Sequence, residues 1–259
     1  MADKHGRFCW YELMTTDAAG AKRFYGAVTG WSFEDLGPAD APYVRLMAGE
    51  VGAGGLLPLT PEMQAGGARP AWVGYIAVDD VDAYAKKVTE AGGAIYKAPA
   101  DIPGVGRFAM AADPGGAAFV LFKPSIDGPA LPHLPAEAGL FQWRELMAEN
   151  GEAAFAFYSK LFGWKKGEAH DMGPMGLYQL FTDGKSDDAI GGMMTKPPFV
   201  PRPVWNYYVR VESVTAAAAR AKAAGGTVNN GPMQVPDGNW VFQGLDPQGA
   251  QCNFISATA

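Results

Sequence analysis

The stretch WYELMTTDAAGAKRFYGAVTGW, residues 10–31, returns as WRELMAENGEAAFAFYSKLFGW at residues 143–164. Each copy opens as an alternating strand, passes a capping Asp17 or Asn150, continues at helical spacing and stops at Gly-Trp. Trp143 lies 133 residues after Trp10, and that offset persists. It carries Pro70 to Pro203, Trp72 to Trp205, Tyr75 to Tyr208, Gly92-Gly93 to Gly225-Gly226, and Asp113-Pro114 to Asp246-Pro247. The register slips only in the middle, where GAGGLLPL at Gly52 matches AIGGMMTK at Ala189 four residues late, and it recovers before Pro203. A period this long marks a duplicated domain, not a solenoid.

Each copy divides again. FCWYELMT reads as a strand and the segment after Asp17 as a helix with apolar Ala21, Phe24, Tyr25 and Val28. AWVGYIAV is a second strand, capped into a second helix at Asp79-Asp80, and short strands follow on either side of a DPGG turn. The second copy repeats this with WNYYVRV, VTAAAARAKAAGG, NWVFQGL, DPQG and AQCNFIS. The expected class is α+β: two tandem domains, 1–123 and 141–259, each of two βαβββ modules. Residues 124–140, with prolines at 124, 129, 132 and 135, have the composition of a linker in which His133 is solvated.

Composition narrows the functions. A chain of 259 residues, 48% hydrophobic and 19% charged, has enough apolar residues to bury two ordinary cores. A net charge of −6 without a basic cluster argues against nucleic acid. Two cysteines without metal or redox spacing fit a reducing compartment, and no apolar run resembles a signal peptide or membrane span, so a cytoplasmic location is expected.

The order strand, capped helix ending FY…GW, strand, helix, Gly-Gly, strands and DP-G turn resembles the vicinal oxygen chelate superfamily of glyoxalases, bleomycin-resistance proteins and extradiol dioxygenases. The resemblance implies mixed sheets curled around a cleft, with helices outside. In the family's enzymes a divalent metal is held there by histidine and glutamate. Those ligand positions fall on Trp10, Val73 and Val120 in the first copy, and on Trp143, Asn206 and Asn253 in the second. None is a histidine or carboxylate, so no metal and no other cofactor is expected. The three histidines, His5, His133 and His170, read as lying outside the cleft strands, His170 in a surface turn.

Alternation along the opening strands puts Trp10, Glu12 and Met14 on one face, and Trp143, Glu145 and Met147 on its counterpart. A carboxylate beneath an aromatic wall can act as a general base, which makes Glu145 and Glu12 the catalytic candidates. The structural alternative pairs each with an arginine, Arg107 for Glu12 and Arg210 for Glu145. Ligand-binding candidates are Trp10, Met14, Tyr75 and Arg107 in the first copy. In the second they are Trp143, Met147, Asn206, Tyr208, Arg210, Trp240 and Asn253, a more polar set. Trp31, Trp164, Trp72 and Trp205 read as core.

The expected function is metal-independent binding or sequestration of an apolar or aromatic small molecule. The alternatives are a glyoxalase- or hydroxylase-like enzyme using a cleft glutamate or an atypical divalent metal site, and a module whose clefts hold another protein. The expected partner is a small molecule, not nucleic acid or a membrane. Both a monomer of two pseudo-symmetric domains and a homodimer stay open, as does the pairing of modules within or between domains.

Overall fold

A computed structural model of the chain describes residues 4–37, 42–125 and 137–259. His133 and most of the expected linker (residues 126–136) lie outside the described residues. The first repeat begins with β1 (Phe8–Thr15), α1 (Ala18–Thr29), β2 (Ser32–Leu36), β3 (Tyr43–Ala48), β4 (Val51–Pro58) and α2 (Pro61–Ala65). It continues with β5 (Ala71–Ala77), α3 (Val81–Glu90), β6 (Ala94–Ile102), β7 (Gly106–Ala112) and β8 (Ala118–Pro124). The second repeat begins with β9 (Phe141–Ala148), α4 (Gly151–Phe162), β10 (Lys165–Asp171), β11 (Leu177–Thr182) and β12 (Gly191–Thr195). After these come β13 (Val204–Arg210), α5 (Val214–Ala223), β14 (Thr227–Gln234), β15 (Trp240–Leu245) and β16 (Gln251–Ser256).

The caps explain the repeated stretch. The Asp17 carboxylate accepts from Gly20 N, and Gly30 ends α1 at φ 77°; Asn150 accepts from Ala153 N, and Gly163 ends α4 at φ 74°. The slip in register also has a cause. Two of the four extra residues of the second copy precede β11, where a 3-10 turn lies at Gly173–Met175, and two lie between β11 and β12; the first copy recovers the count with α2, which has no equivalent after β12. Strands β6 and β14 run longer than the short segments expected, because each pairs along its length with the strand after it.

Each repeat forms one mixed eight-stranded sheet, in the orders β2-β3-β4-β1-β5-β8-β7-β6 and β10-β11-β12-β9-β13-β16-β15-β14. The α+β class holds, with β1/β4, β5/β8, β12/β9 and β13/β16 parallel.

Compactness follows a different division. One compact unit gathers the described residues of 1–9, 74–133 and 144–206; the other gathers those of 10–73, 134–143 and 207–259. Each unit therefore draws on both repeats, although each sheet belongs to one repeat. In the first unit Trp205 Nε1 donates to Tyr158 Oη (2.9 Å), Tyr158 donates to Asp113 Oδ2 (3.2 Å), and Trp164 Nε1 donates to the Gly6 carbonyl (2.7 Å). In the second, Trp72 Nε1 donates to Tyr25 Oη (2.9 Å), Tyr25 donates to Asp246 Oδ2 (3.1 Å), and Trp31 Nε1 donates to the Gly139 carbonyl (2.8 Å). The two triplets map onto each other by the 133-residue offset. The FY…GW tyrosine of one repeat is held by the DP-G aspartate of the other. Trp31, Trp164 and Trp205 are thus core residues, Trp72 is half-buried beside Tyr25, and all four indoles are satisfied.

Candidate polar site on the glutamate face

Register places the side chains. Glu145 lies beside Gly192 and Met147 beside Met194 across β9/β12, while Leu180 pairs with Gly192 across β11/β12. Neighbours in register share a face, so Tyr178, Leu180, Gly192, Met194, Glu145 and Met147 form one surface. A Cβ on Gly192 would sit in the Tyr178 ring, so the glycine lets that ring lie flat against β12. Tyr178 Oη donates to Glu145 Oε2 (3.3 Å), and Asn206 Nδ2 on β13 donates to Glu145 Oε1 (3.2 Å). A carboxylate only accepts, so the amide nitrogen of Asn206 must face it. The amide oxygen, Oδ1, is buried and has no hydrogen-bond partner among the described residues, in a residue only 4% exposed. Such an acceptor costs about 1–3 kcal/mol.

The first repeat has the same frame with different chemistry. Glu12 lies beside Gly55 and Met14 beside Leu57, and Arg45 pairs with Gly55, so Tyr43, Arg45, Glu12 and Met14 share a face. Trp10 Nε1 donates to Tyr43 Oη (2.9 Å), and Tyr43 bonds the Glu12 carboxylate. Burial, and then the nearby Glu12 charge, push the Tyr43 phenol well above the ordinary tyrosine range. Arg45 is tied to Glu34 through Nε (2.8 Å) and Nη2. The position equivalent to Asn206 is Val73, which is buried and offers no hydrogen bond.

Sequence reasoning missed Tyr43, Tyr178 and Arg45. The tyrosines are 135 residues apart, inside the slipped segment, and so do not align at the offset used. The available signal was the Gly-Gly pair opposite each glutamate, which clears space for a large ring.

Several expected assignments are corrected. Arg107 does not approach Glu12: it binds Asp82 on α3 (2.6 Å) and Asp101 (3.0 Å), and these carboxylates hold its guanidinium pKa up. Its register partner Lys123 is on the strand face opposite Val120. Arg210 donates to Gln142 Oε1 (2.7 Å), not to Glu145, whose carboxylate takes the Tyr178 and Asn206 donors. Trp240 pairs with Ser256, on the face opposite Tyr208, Val241 and Ile255, and so leaves the glutamate side. His170 is in β10, in register with Tyr178 and 3.9 Å from Glu168, not in a surface turn.

The other expected residues share the intended faces. Tyr208 clusters with Val241 and Ile255 against Trp143, and its hydroxyl accepts from Gln243 Nε2 (2.6 Å). Asn253, in register with Tyr208, accepts from Gln251 Nε2 (2.8 Å) and donates to the Tyr207 carbonyl (3.5 Å). Tyr75 is buried against Phe122 beside Val120.

The donor chemistry does not fit a tightly held divalent ion. Indole, alkyl and amide groups stand at the six ligand positions implied by the resemblance, and the described residues hold no group of three or more histidines, cysteines and acids that could grip a metal.

The Glyoxalase/Bleomycin resistance protein/Dioxygenase superfamily model matches residues 7–121 and again 141–254. The chain belongs to this superfamily. Among relatives of this glyoxalase-superfamily protein, "Putative glyoxylase CFP32" of Mycobacterium tuberculosis is 36% identical, over 93% of this chain and 91% of its own. "Anthracycline biosynthesis protein DnrV" of Streptomyces peucetius is 30% identical, over 96% and 93%. The Mn(II)-bound glyoxalase from Novosphingobium aromaticivorans shares the superfamily fold at TM-score 0.65 and 18% identity, covering 98% of this chain and 83% of its own. A homoprotocatechuate 2,3-dioxygenase from B. fuscum does so at TM-score 0.67 and 14% identity, covering 97% and 71%.

Proposed function

We propose that the second repeat binds a small, partly aromatic molecule on the Glu145 face, and that it does so without a metal ion. The observation that carries this is the Glu145–Tyr178–Asn206 constellation, a set of polar atoms flanked by Met147, Met194 and the Tyr178 ring. Pockets for small molecules commonly combine an apolar wall with a few convergent polar groups, and thioethers contact aromatic rings favourably. The metal-free part rests on the donor set. Elemental analysis of untagged protein is expected to show well under one equivalent of zinc, iron, manganese or nickel per chain. A stoichiometric metal whose removal by chelator abolishes ligand binding would overturn it.

The names of the relatives favour a second reading, in which Glu145 is a general base acting on the bound molecule. Glu145→Gln tests both. A glutamine can satisfy only one of the two donors that now point at the carboxylate, so affinity for a nitrophenol probe is expected to fall about tenfold, about 1.4 kcal/mol. The urea midpoint should move little. Glu12→Gln is expected to affect binding less. If a turnover is found and Glu145→Gln lowers it far more than it lowers affinity, the base reading replaces simple binding.

A further inference from the structure

We infer that the Glu145 face selects its ligand by a hydrogen-bond donor, a protonated hydroxyl on an aromatic ring, with the Asn206 amide oxygen reading that proton. This rests on the binding reading above and names the ligand chemistry it requires.

Asn206 is 4% exposed, and its nitrogen is committed to Glu145 Oε1 at 3.2 Å, which fixes the orientation of the amide. Its oxygen has no hydrogen-bond partner among the described residues. Because that oxygen shares a carbon with the committed nitrogen, anything bound to it has the Glu145 carboxylate as its neighbour. Two acceptors side by side attract a group that gives a proton to a hydrogen bond and repel one that carries negative charge. This inverts the preference of a metal centre, which takes oxygen ligands best in their deprotonated form. The first repeat supplies an internal control, since Val73 stands where Asn206 does and has neither donor nor acceptor. The ring is suggested by Tyr178, Met147 and Met194 on the same face.

Protein titration does not confuse the test. Among the described residues the titratable and charged side chains on this side are Glu145 on β9, Tyr178 on β11, Tyr208 and the Gln142-bound Arg210 on β13, and His170 on β10, in register with Tyr178 and beside Glu168. Two probes of nearly equal size meet the same protein at every pH. 4-Nitrophenol carries the donor and ionises near neutral pH; 4-nitroanisole carries a methyl ether and does not ionise.

Dissociation constants for both, measured by calorimetry on the whole chain across the ionisation of the nitrophenol, decide the matter. Below that ionisation the phenol is expected to bind about tenfold more tightly than the ether. The advantage should vanish as the phenolate forms. Asn206→Val should abolish that advantage at low pH, so that the two probes bind alike. Equal binding of the two probes, or tighter binding of the phenolate, overturns the inference and leaves small-molecule binding standing. If neither probe binds, the binding reading falls with it. Should Asn206→Val not fold, the wild-type comparison of the two probes is decisive by itself.

Discussion

Gly191→Ala is expected to lower stability by about 3 kcal/mol or more, whereas Gly192→Ala, one residue on, should leave folding nearly intact and disable the site. A Cβ on Gly191 would meet the backbone carbonyl of Arg144 and the buried Phe181 ring. The carbonyl belongs to the neighbouring strand β9 and cannot move unless the β9/β12 pairing opens, so the penalty is that of an overpacked core. A Cβ on Gly192 meets only the outer end of the Tyr178 side chain. That ring can swing away, and in doing so its hydroxyl leaves Glu145. The first repeat has the same division of labour. A Cβ on Gly54 would lie 2.6 Å from the Tyr11 carbonyl, whereas one on Gly55 would meet the Tyr43 hydroxyl. Urea midpoints for the four alanine variants, together with nitrophenol affinity, check this. Equal destabilisation by Gly191→Ala and Gly192→Ala would show that the Tyr178 ring cannot yield.

The second large effect concerns the reciprocal aspartates. Asp246→Ala and Asp113→Ala are each expected to cost about 3 kcal/mol. Asp246 accepts from Tyr25 Oη and from the amides of Gln248 and Ala250, and Asp113 accepts from Tyr158 Oη and the amide of Ala117. Removing either carboxylate leaves several donors unmatched, in sites where the aspartates themselves are 3% exposed. Because they serve different compact units, the two losses should add. A strong departure from additivity in the double variant would mean that the sites are coupled.

Their pH dependence has a definite sign. Burial holds both carboxyls above their ordinary value of 3.8, against the pull of the amide donors. A raised folded-state pKa gives stability that is fully present below 3.8 and is lost as pH rises through the folded value. Asparagine does not titrate, so the stability of the wild type relative to Asp246→Asn should decline from acidic to neutral pH. Urea midpoints at the two ends give the answer, and a rise would contradict the assigned direction.

The duplication was legible because caps, helix-ending glycines and DP-G turns recur with little drift, each being demanded by local geometry. The faces of β1 and β9 were legible by alternation, which is why Glu12 and Glu145 came out beside the correct neighbours on their strands. Arg107 and Trp240 were named without a face assignment, and register turns both away from the glutamates. Successive residues of a strand point to opposite faces, so without the register of its partner strand the side of either residue was not fixed. Tyr43 and Tyr178 were hidden by an insertion, and the Gln142 partner of Arg210 by the pull of a nearby carboxylate on any arginine assignment. How modules pair could not be read at all. The two copies carry the same contact residues, so the chain does not say which tyrosine an aspartate will hold.

That ambiguity bears on how such a chain can lose or gain sequence. A premature stop after the first repeat would leave no intact half, because each compact unit would be missing the module supplied by the other copy. Deleting a copy therefore damages both units at once, and neither repeat can be discarded as redundant. A peptide-bond break between residues 125 and 137 is a different matter. The fragments would remain joined by the two tyrosine–aspartate bonds and two indole–carbonyl bonds that cross between them. Selection is thus free to retune one glutamate face against the other, Val73 here and Asn206 there, while holding the shared aromatic and aspartate contacts of the two copies as a single inheritance.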